Sequence, residues 1–96
     1  MKVKWLNQAT LDLISQIDYI AERNPVAAIE QATLVDEKVS NLAQFHEIGR
    51  KGRAANTREL VIVGTSFVVV YCIVEELDLI QIIRLLHGSQ QWPLEE

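Results

Sequence analysis

A chain of 96 residues has no length to spare for a second domain, and its 49% hydrophobic content is enough for a core without disulfides or a structural metal. The single cysteine, Cys72, cannot form an internal bridge, which fits a reducing compartment. No targeting signal is visible, and the longest uncharged run, residues 60–74, is shorter than the roughly 18 residues that a membrane span requires. We therefore expect one domain, residues 1–96, that is soluble and cytoplasmic, with a net charge of −4.

The first half of the chain predicts a strand followed by two helices. Residues 2–6 alternate polar and apolar, which is typical of a short strand at a sheet edge. Apolar residues then recur at helical spacing and stop near Arg23. Asn24 suits the N-cap of a second helix and Pro25 suits its first position, where the missing N–H is not needed. Small residues such as Ala28 let the two helices pack closely as an antiparallel hairpin.

The second half of the chain changes to a period of two. Residues 58–63 and 67–74 are predicted strands joined by a tight turn at Gly64, and a turn at residues 75–76 leads to a third strand, residues 79–86. The order β-α-α-β-β-β predicts an α+β fold. It is a two-layer domain in which a helical hairpin packs on an antiparallel sheet.

The last two predicted strands are apolar on both faces. Strict alternation puts Leu85 with Ile83 on one face, and Leu86 with Ile80 and Ile82 on the other. Two helices can cover only one face of a sheet. The second face is then either covered by the C-terminal segment or left for a partner, and the partner is the favoured alternative.

The most distinctive segment is a glycine-punctuated stretch, residues 49–60. It carries four cations and one carboxylate: Arg50, Lys51, Arg53, Arg58 and Glu59. In a chain that is otherwise acidic, such a patch either meets an anionic partner or is a solvated loop, and the pattern alone does not decide. The stretch is not a phosphate loop, because it lacks the Gly-Lys-Ser/Thr ending and precedes a strand.

The remaining polar residues do not form a catalytic constellation. Arg84 either contacts an anionic partner or pairs with Glu59 or a helix carboxylate. His87 has no identifiable nucleophile or carboxylate orienter beside it, and His46 is expected at the surface. Tyr71 is expected in the core. No spacing of ligand residues requires a metal, no cofactor is expected, and we assign no catalytic residue.

An ordered set of sequence pieces resembles the RelE/ParE superfamily of type II toxin–antitoxin toxins, specifically its ParE-like branch. The pieces are Trp5, Tyr19-Ile20-Ala21, Asn24-Pro25, Gly49-Arg50-Lys51-Gly52-Arg53, Thr57-Arg58-Glu59-Leu60-Val61, Val69-Val70-Tyr71, Arg84-Leu85-Leu86-His87-Gly88 and Gln91-Trp92-Pro93. Together they span nearly the whole chain in the family's order. Two loop positions depart from the usual pattern: His46 replaces a common proline, and Asn56 replaces a common glycine.

The resemblance implies a growth-arresting toxin of a plasmid stabilisation module that is neutralised by a cognate antitoxin. RelE-like members are ribosome-dependent mRNA endonucleases, whereas ParE-like members poison DNA gyrase by binding. The nucleases tend to carry an arginine just before the Val-Val-Tyr of the central strand, where this chain has Phe67-Val68, and residues 89–93 offer no Arg, Lys or Tyr. The resemblance therefore favours a gyrase inhibitor that is not an enzyme. The alternatives are an mRNA endonuclease that acts on the ribosome, and a degenerate toxin that is only a binding module.

Residues expected to contact the antitoxin or the target come from the same pieces: Arg50, Lys51, Arg53, Arg58, Arg84, His87 and Trp92. The antitoxin's disordered C-terminal half is expected to fold onto exposed apolar surface of the toxin as a helix or strand. Acidic residues of the antitoxin are expected to pair with Arg53, Arg58 and Arg84.

Overall fold

The computed structural model describes residues 1–88 and 90–93. Its elements are β1 (Lys2–Trp5), α1 (Asn7–Arg23), α2 (Pro25–Ser40), β2 (Arg50–Lys51), β3 (Arg58–Val61), β4 (Phe67–Val74) and β5 (Leu79–His87). Short 3₁₀ turns follow α2 and β4, at Asn41–Ala43 and Glu75–Leu77. Ser89 and residues 94–96, which the sequence places in the same domain, lie outside the described residues. None of the described helices is long and apolar enough to cross a membrane.

The helical hairpin packs on a five-stranded sheet in the order β1-β5-β4-β3-β2, which confirms the predicted α+β architecture. Two details of strand pairing differ from the prediction. β1 pairs with β5 in parallel, so the sheet is mixed rather than antiparallel, and the basic stretch supplies a short edge strand, β2. Alternating residues show that a strand has one buried face, but they do not encode the direction of a neighbour that lies far away in sequence.

The junction between the helices forms as predicted from Asn24. Its backbone N–H donates to the carbonyl of Ile20 at 2.7 Å and ends α1, while its side-chain oxygen accepts from the N–H of Ala27 at 3.1 Å and caps α2. Pro25 occupies the first position of α2, where its lack of an N–H costs nothing. The tight junction places α2 beside α1, and their apolar sides form one surface over the sheet.

The core lies between this surface and the sheet. It is built from helix and strand residues, among them Ala9, Val35, Val39, Val69, Tyr71, Ile80, Ile82 and Leu85. The β4–β5 register shifts at one point: Val70 lies opposite Arg84, whereas Tyr71 lies opposite Ile82. The extra residue, Ile83, bulges and brings Leu85 to the same face as Ile82. The predictions that Leu85 lies on the face opposite Ile82 and that Leu86 shares the face of Ile82 are therefore both wrong, because a bulge breaks strict alternation.

The opposite face of the sheet is closed at its centre. Val68, Val70 and Leu86 are buried there, with only 7%, 0% and 1% of their surface exposed. The ring of Trp92 lies 5.5 Å from the guanidinium carbon of Arg84, the cross-strand neighbour of Val70. Trp92 of the C-terminal segment therefore lies next to a residue of β5 that borders this face. The favoured alternative of a face left open for a partner is wrong for the centre of the sheet.

Candidate functional site

β2 carries the basic stretch onto the edge of the sheet. Arg50 lies opposite Glu59, and Lys51 lies opposite Arg58. Because directly opposed residues in an antiparallel pair share a face, the four positions are sorted into two pairs on opposite faces. One face receives a cation with a carboxylate, and the other receives two cations. The stretch that reads as one basic patch in the sequence is thus two different environments.

Glu59 is the centre of the first environment. It is 1% exposed, and its carboxylate accepts from the backbone N–H of Arg53 at 2.8 Å, from Arg53 Nε at 3.1 Å and from Arg50 Nη2 at 3.3 Å. Burial alone would raise the pKa of Glu59, but the hydrogen bonds from Arg53 and Arg50 outweigh it and hold the pKa below its usual range. Arg50 and Arg53 therefore share an internal carboxylate that is ionised at neutral pH.

Arg84 forms a second internal ion pair, with Asp12 on α1. Arg84 Nε and Nη2 donate to the two carboxylate oxygens of Asp12 at 2.7 and 3.1 Å, and the N–H of Leu85 adds a third bond at 3.0 Å. Burial would raise the pKa of Asp12, but the hydrogen bonds from Arg84, Gln8 and Leu85 outweigh it and lower the pKa. This confirms the alternative in which Arg84 pairs with a helix carboxylate. The expected contact of Arg84 and Trp92 with a partner stays a prediction.

The two-cation pair borders an open cavity of about 410 Å³, which we call the Lys51–Arg58 cavity. Its lining residues are Lys51, Asn56, Thr57, Arg58 and Ile73. Arg58 Nη1 donates to the carbonyls of Glu47 and Gly49 at 3.1 and 2.8 Å, which fixes the guanidinium at the wall. Among the described residues, no carboxylate lies within 4.0 Å of Lys51 or Arg58. The cavity therefore carries positive charge that no described carboxylate of this chain neutralises directly.

Tyr71, the cross-strand neighbour of Arg58, holds the loop behind this cavity. Its phenol oxygen accepts from the N–H of Gly49 at 2.9 Å and donates to the carbonyl of His46 at 2.8 Å. Burial raises the pKa of Tyr71, and the hydrogen bond from Gly49 offsets this only in part. The phenol is therefore neutral at physiological pH and engaged on both sides.

The two histidines lie away from the Lys51–Arg58 cavity. His46 is half-buried rather than at the surface, and it lines a separate depression next to Phe45. Its Nδ1 is buried and has no hydrogen-bond partner within the described part of the chain. His87 lies at the end of β5 and, with Gln16 of α1, lines a cavity of about 180 Å³. The predicted contact residues consequently occupy several separate places in the fold and do not converge on one site.

Sequence reasoning missed three contributors to these environments. Asp12 was not singled out among the helix carboxylates, because its partner Arg84 is 72 residues away and no local signal links the two. Ile73 was seen only as part of an apolar strand. Asn56 did carry a signal: it stands where the family pattern has glycine, and its φ of 61° lies in the left-handed region that asparagine tolerates better than most residues.

Comparison with known proteins gives a consistent result. The family described as "ParE toxin of type II toxin-antitoxin system, parDE" matches residues 3–92. The protein named "Putative toxin Y4kP", from Sinorhizobium fredii (strain NBRC 101917 / NGR234), is 30% identical over 92 residues, covering 96% of this chain and 93% of that protein. A chain of the solved structure "Chromosomal ParDE TA system from P. aeruginosa" has a TM-score of 0.81 at 24% identity, covering 91% of this chain and 95% of that one. The last similarity shows a shared fold.

Proposed function

Because this chain belongs to the ParE toxin family of type II toxin–antitoxin systems, we propose that a cognate antitoxin neutralises it and that the free toxin arrests growth by binding DNA gyrase. The match over residues 3–92 carries the assignment to a toxin. The composition of the Lys51–Arg58 cavity supports action by binding rather than by cleavage of RNA.

Cleavage of RNA needs a base that activates the 2′-hydroxyl and a cation that stabilises the developing phosphorane charge. The Lys51–Arg58 cavity offers cations, but its described lining has no histidine, tyrosine or carboxylate that could serve as the base. The neighbouring phenol, on Tyr71, is turned into the loop behind the cavity, where both its hydrogen bonds go to backbone groups. This arrangement supports a surface that recognises an anion rather than one that transfers protons.

For the antitoxin, we propose a groove between α1 and α2, which we call the hairpin groove. It has a volume of about 390 Å³ and is lined almost entirely by apolar side chains: Ile17, Ala21, Pro25, Ala28, Ile29, Ala32 and Thr33. Ile29 is 69% exposed and the adjacent Val26 is 64% exposed. Apolar surface left open in this way supports a docking site, which an amphipathic segment that folds on binding would cover.

The internal ion pairs reduce what Arg53 and Arg84 can contribute to binding the antitoxin. Arg53 and Arg84 are already engaged by Glu59 and Asp12, so an acidic residue of the antitoxin would have to compete with a carboxylate of this chain. Exchanging one carboxylate partner for another gains little free energy. We therefore propose that apolar contact in the hairpin groove, rather than pairing with these two arginines, supplies most of the affinity for the antitoxin.

Two assays run on the same preparation test the mechanism. Purified toxin, gyrase, ATP and supercoiled plasmid should give double-strand breaks, and prior addition of the cognate antitoxin should abolish them. In parallel, primer extension on transcripts from a translation reaction should show no codon-linked cuts. Cut transcripts with unchanged supercoiling would contradict the proposal in favour of an endonuclease. No effect in either assay, and no growth arrest on expression without antitoxin, would mean that the chain is only a binding module.

A further inference from the structure

Lys51 and Arg58 are two like charges placed directly opposite each other. Directly opposed residues in an antiparallel pair lie about 4.5–5.5 Å apart at their Cα atoms, where like charges destabilise the sheet. The other strand and loop cations of this region each have an internal carboxylate: Arg50 and Arg53 have Glu59, and Arg84 has Asp12. Since the described residues supply no carboxylate for Lys51 and Arg58, an anion that does not belong to this chain would relieve the repulsion between them.

Arg58 is already oriented for such an anion. Its Nη1 donates hydrogen bonds to the carbonyls of Glu47 and Gly49. The N–H groups of Nε and Nη2 have no hydrogen-bond acceptor among the described residues. A guanidinium carries five N–H donors in a planar fork, so three remain for a ligand. Because the loop contacts hold the fork in place before a ligand arrives, little side-chain entropy is lost on binding.

We propose that the Lys51–Arg58 cavity binds a phosphodiester group of a nucleic-acid strand. Its volume of about 410 Å³ exceeds what one carboxylate would fill and falls within the range of roughly 300–1,000 Å³ found for sites that hold whole small ligands. Ile73 supplies an apolar wall for the sugar, and the exposed Asn56 at the cavity adds amide donors. A phosphate flanked by its sugars matches this mixed lining better than the side chain of an acidic residue.

This inference goes beyond the proposed function, since neither neutralisation by an antitoxin nor binding to gyrase requires the toxin to touch nucleic acid. Because the whole chain carries a net charge of −4, we expect the nucleic acid to contact only the Lys51–Arg58 cavity rather than an extended basic surface. With about two phosphate charges neutralised, the logarithm of the affinity for a single strand should fall with the logarithm of salt concentration at a slope of roughly −1.4. A steeper slope would indicate phosphate contacts with basic residues outside the Lys51–Arg58 cavity.

The test is a fluorescence-anisotropy titration of the purified chain with short labelled single strands of DNA and of RNA in the same sequence, at low ionic strength. Lys51→Gln should weaken binding about tenfold, the loss of one charge-assisted contact, and should make the salt slope shallower by about 0.7. Arg23→Gln is the matched control. It removes the same charge from the end of α1, where Arg23 stacks on Tyr19, and should change the affinity by less than about twofold.

Tighter binding of DNA or of RNA identifies the source of the phosphodiester, and either result upholds the site. The proposal is overturned if neither strand binds the wild-type chain, or if Lys51→Gln and Arg23→Gln weaken binding equally. It is also overturned if a glutamate-rich peptide of equal charge binds more tightly than both strands and depends on Lys51. The titration contains neither gyrase nor antitoxin, so its failure leaves the proposed function to its own assays.

Discussion

The phenol oxygen of Tyr71 accepts a hydrogen bond from the N–H of Gly49 at 2.9 Å, and a Cβ atom added at position 49 would lie 2.6 Å from that same oxygen. Only glycine lets the loop backbone approach the buried ring so closely. The phenol also donates to the carbonyl of His46 at 2.8 Å. A core residue of β4 thus fixes the path of the loop that leads into β2 and presents Lys51 to the cavity.

Tyr71→Phe should lower the free energy of unfolding by about 1–3 kcal/mol, because the N–H of Gly49 and the carbonyl of His46 both lose a buried partner. Urea denaturation followed by circular dichroism measures the change. Tyr19→Phe is the matched control, since Tyr19 is 58% exposed, and its effect should stay within about 0.5 kcal/mol. Equal stabilities of the two variants would show that the phenol does not hold the loop.

Glu59→Gln should also destabilise the fold, by about 1–3 kcal/mol. A neutral amide leaves Arg50 and Arg53 without their shared counter-charge, and it places N–H donors where two guanidinium groups also donate. The effect stays below that of a fully buried pair because both arginine side chains remain partly solvated. The control is Glu76→Gln in the exposed turn after β4, measured by the same urea titration. A similarly small change in the free energy of unfolding of both variants would contradict the proposal that Glu59 organises the basic stretch.

Asp12 and Glu59 make the fold sensitive to acid. Burial would raise both pKa values, but the hydrogen bonds from Arg84 to Asp12 and from Arg53 to Glu59 outweigh it and lower them. A carboxyl group with a lowered pKa in the folded state contributes stability above its unfolded pKa of about 4 and loses it as pH falls through the folded pKa. The free energy of unfolding should therefore be nearly constant around neutral pH and decrease below about pH 5.

Urea midpoints measured across the acid range test this pH dependence. The double variant Asp12→Asn, Glu59→Gln should be less stable at neutral pH and should lose less stability on acidification than the wild type. A second double variant, Asp18→Asn, Glu76→Gln, changes two exposed carboxyl groups and serves as the control, with a wild-type profile expected. If all three proteins lost stability in parallel, these two ion pairs would not be the cause.

The parts of the fold that follow from short-range chemistry were predictable from the sequence. Asn24-Pro25 encodes the end of one helix and the start of the next, and Gly64, with a φ of 93°, encodes the turn between β3 and β4. Each of these signals lies within a few residues of the feature it determines. The period of the apolar residues likewise distinguished helices from strands without any knowledge of their partners.

The features that escaped prediction depend on residues far apart in the chain. The bulge at Ile83 is defined only by the register of β5 against β4, and the parallel pairing of β1 is defined only once β5 is in place. The environment of the basic residues also depends on residues that are far apart in the chain. The sequence identified the cations of the basic stretch, but whether a cation is paired depends on distant carboxylates, as Asp12 shows for Arg84. Which basic residues face an open cavity could therefore not be read from the stretch itself.

Ile29→Glu tests the hairpin groove as the surface for the antitoxin. Ile29 is 69% exposed, so the substitution should change the free energy of unfolding by less than about 0.5 kcal/mol. In the complex, a carboxylate buried against the apolar lining without a partner should weaken affinity for the antitoxin by at least about tenfold. Isothermal titration calorimetry with the cognate antitoxin measures this. Leu77→Glu introduces the same group at a position that is 67% exposed but outside the groove, and it should bind like wild type. Equal affinities for both variants would place the antitoxin elsewhere on the toxin.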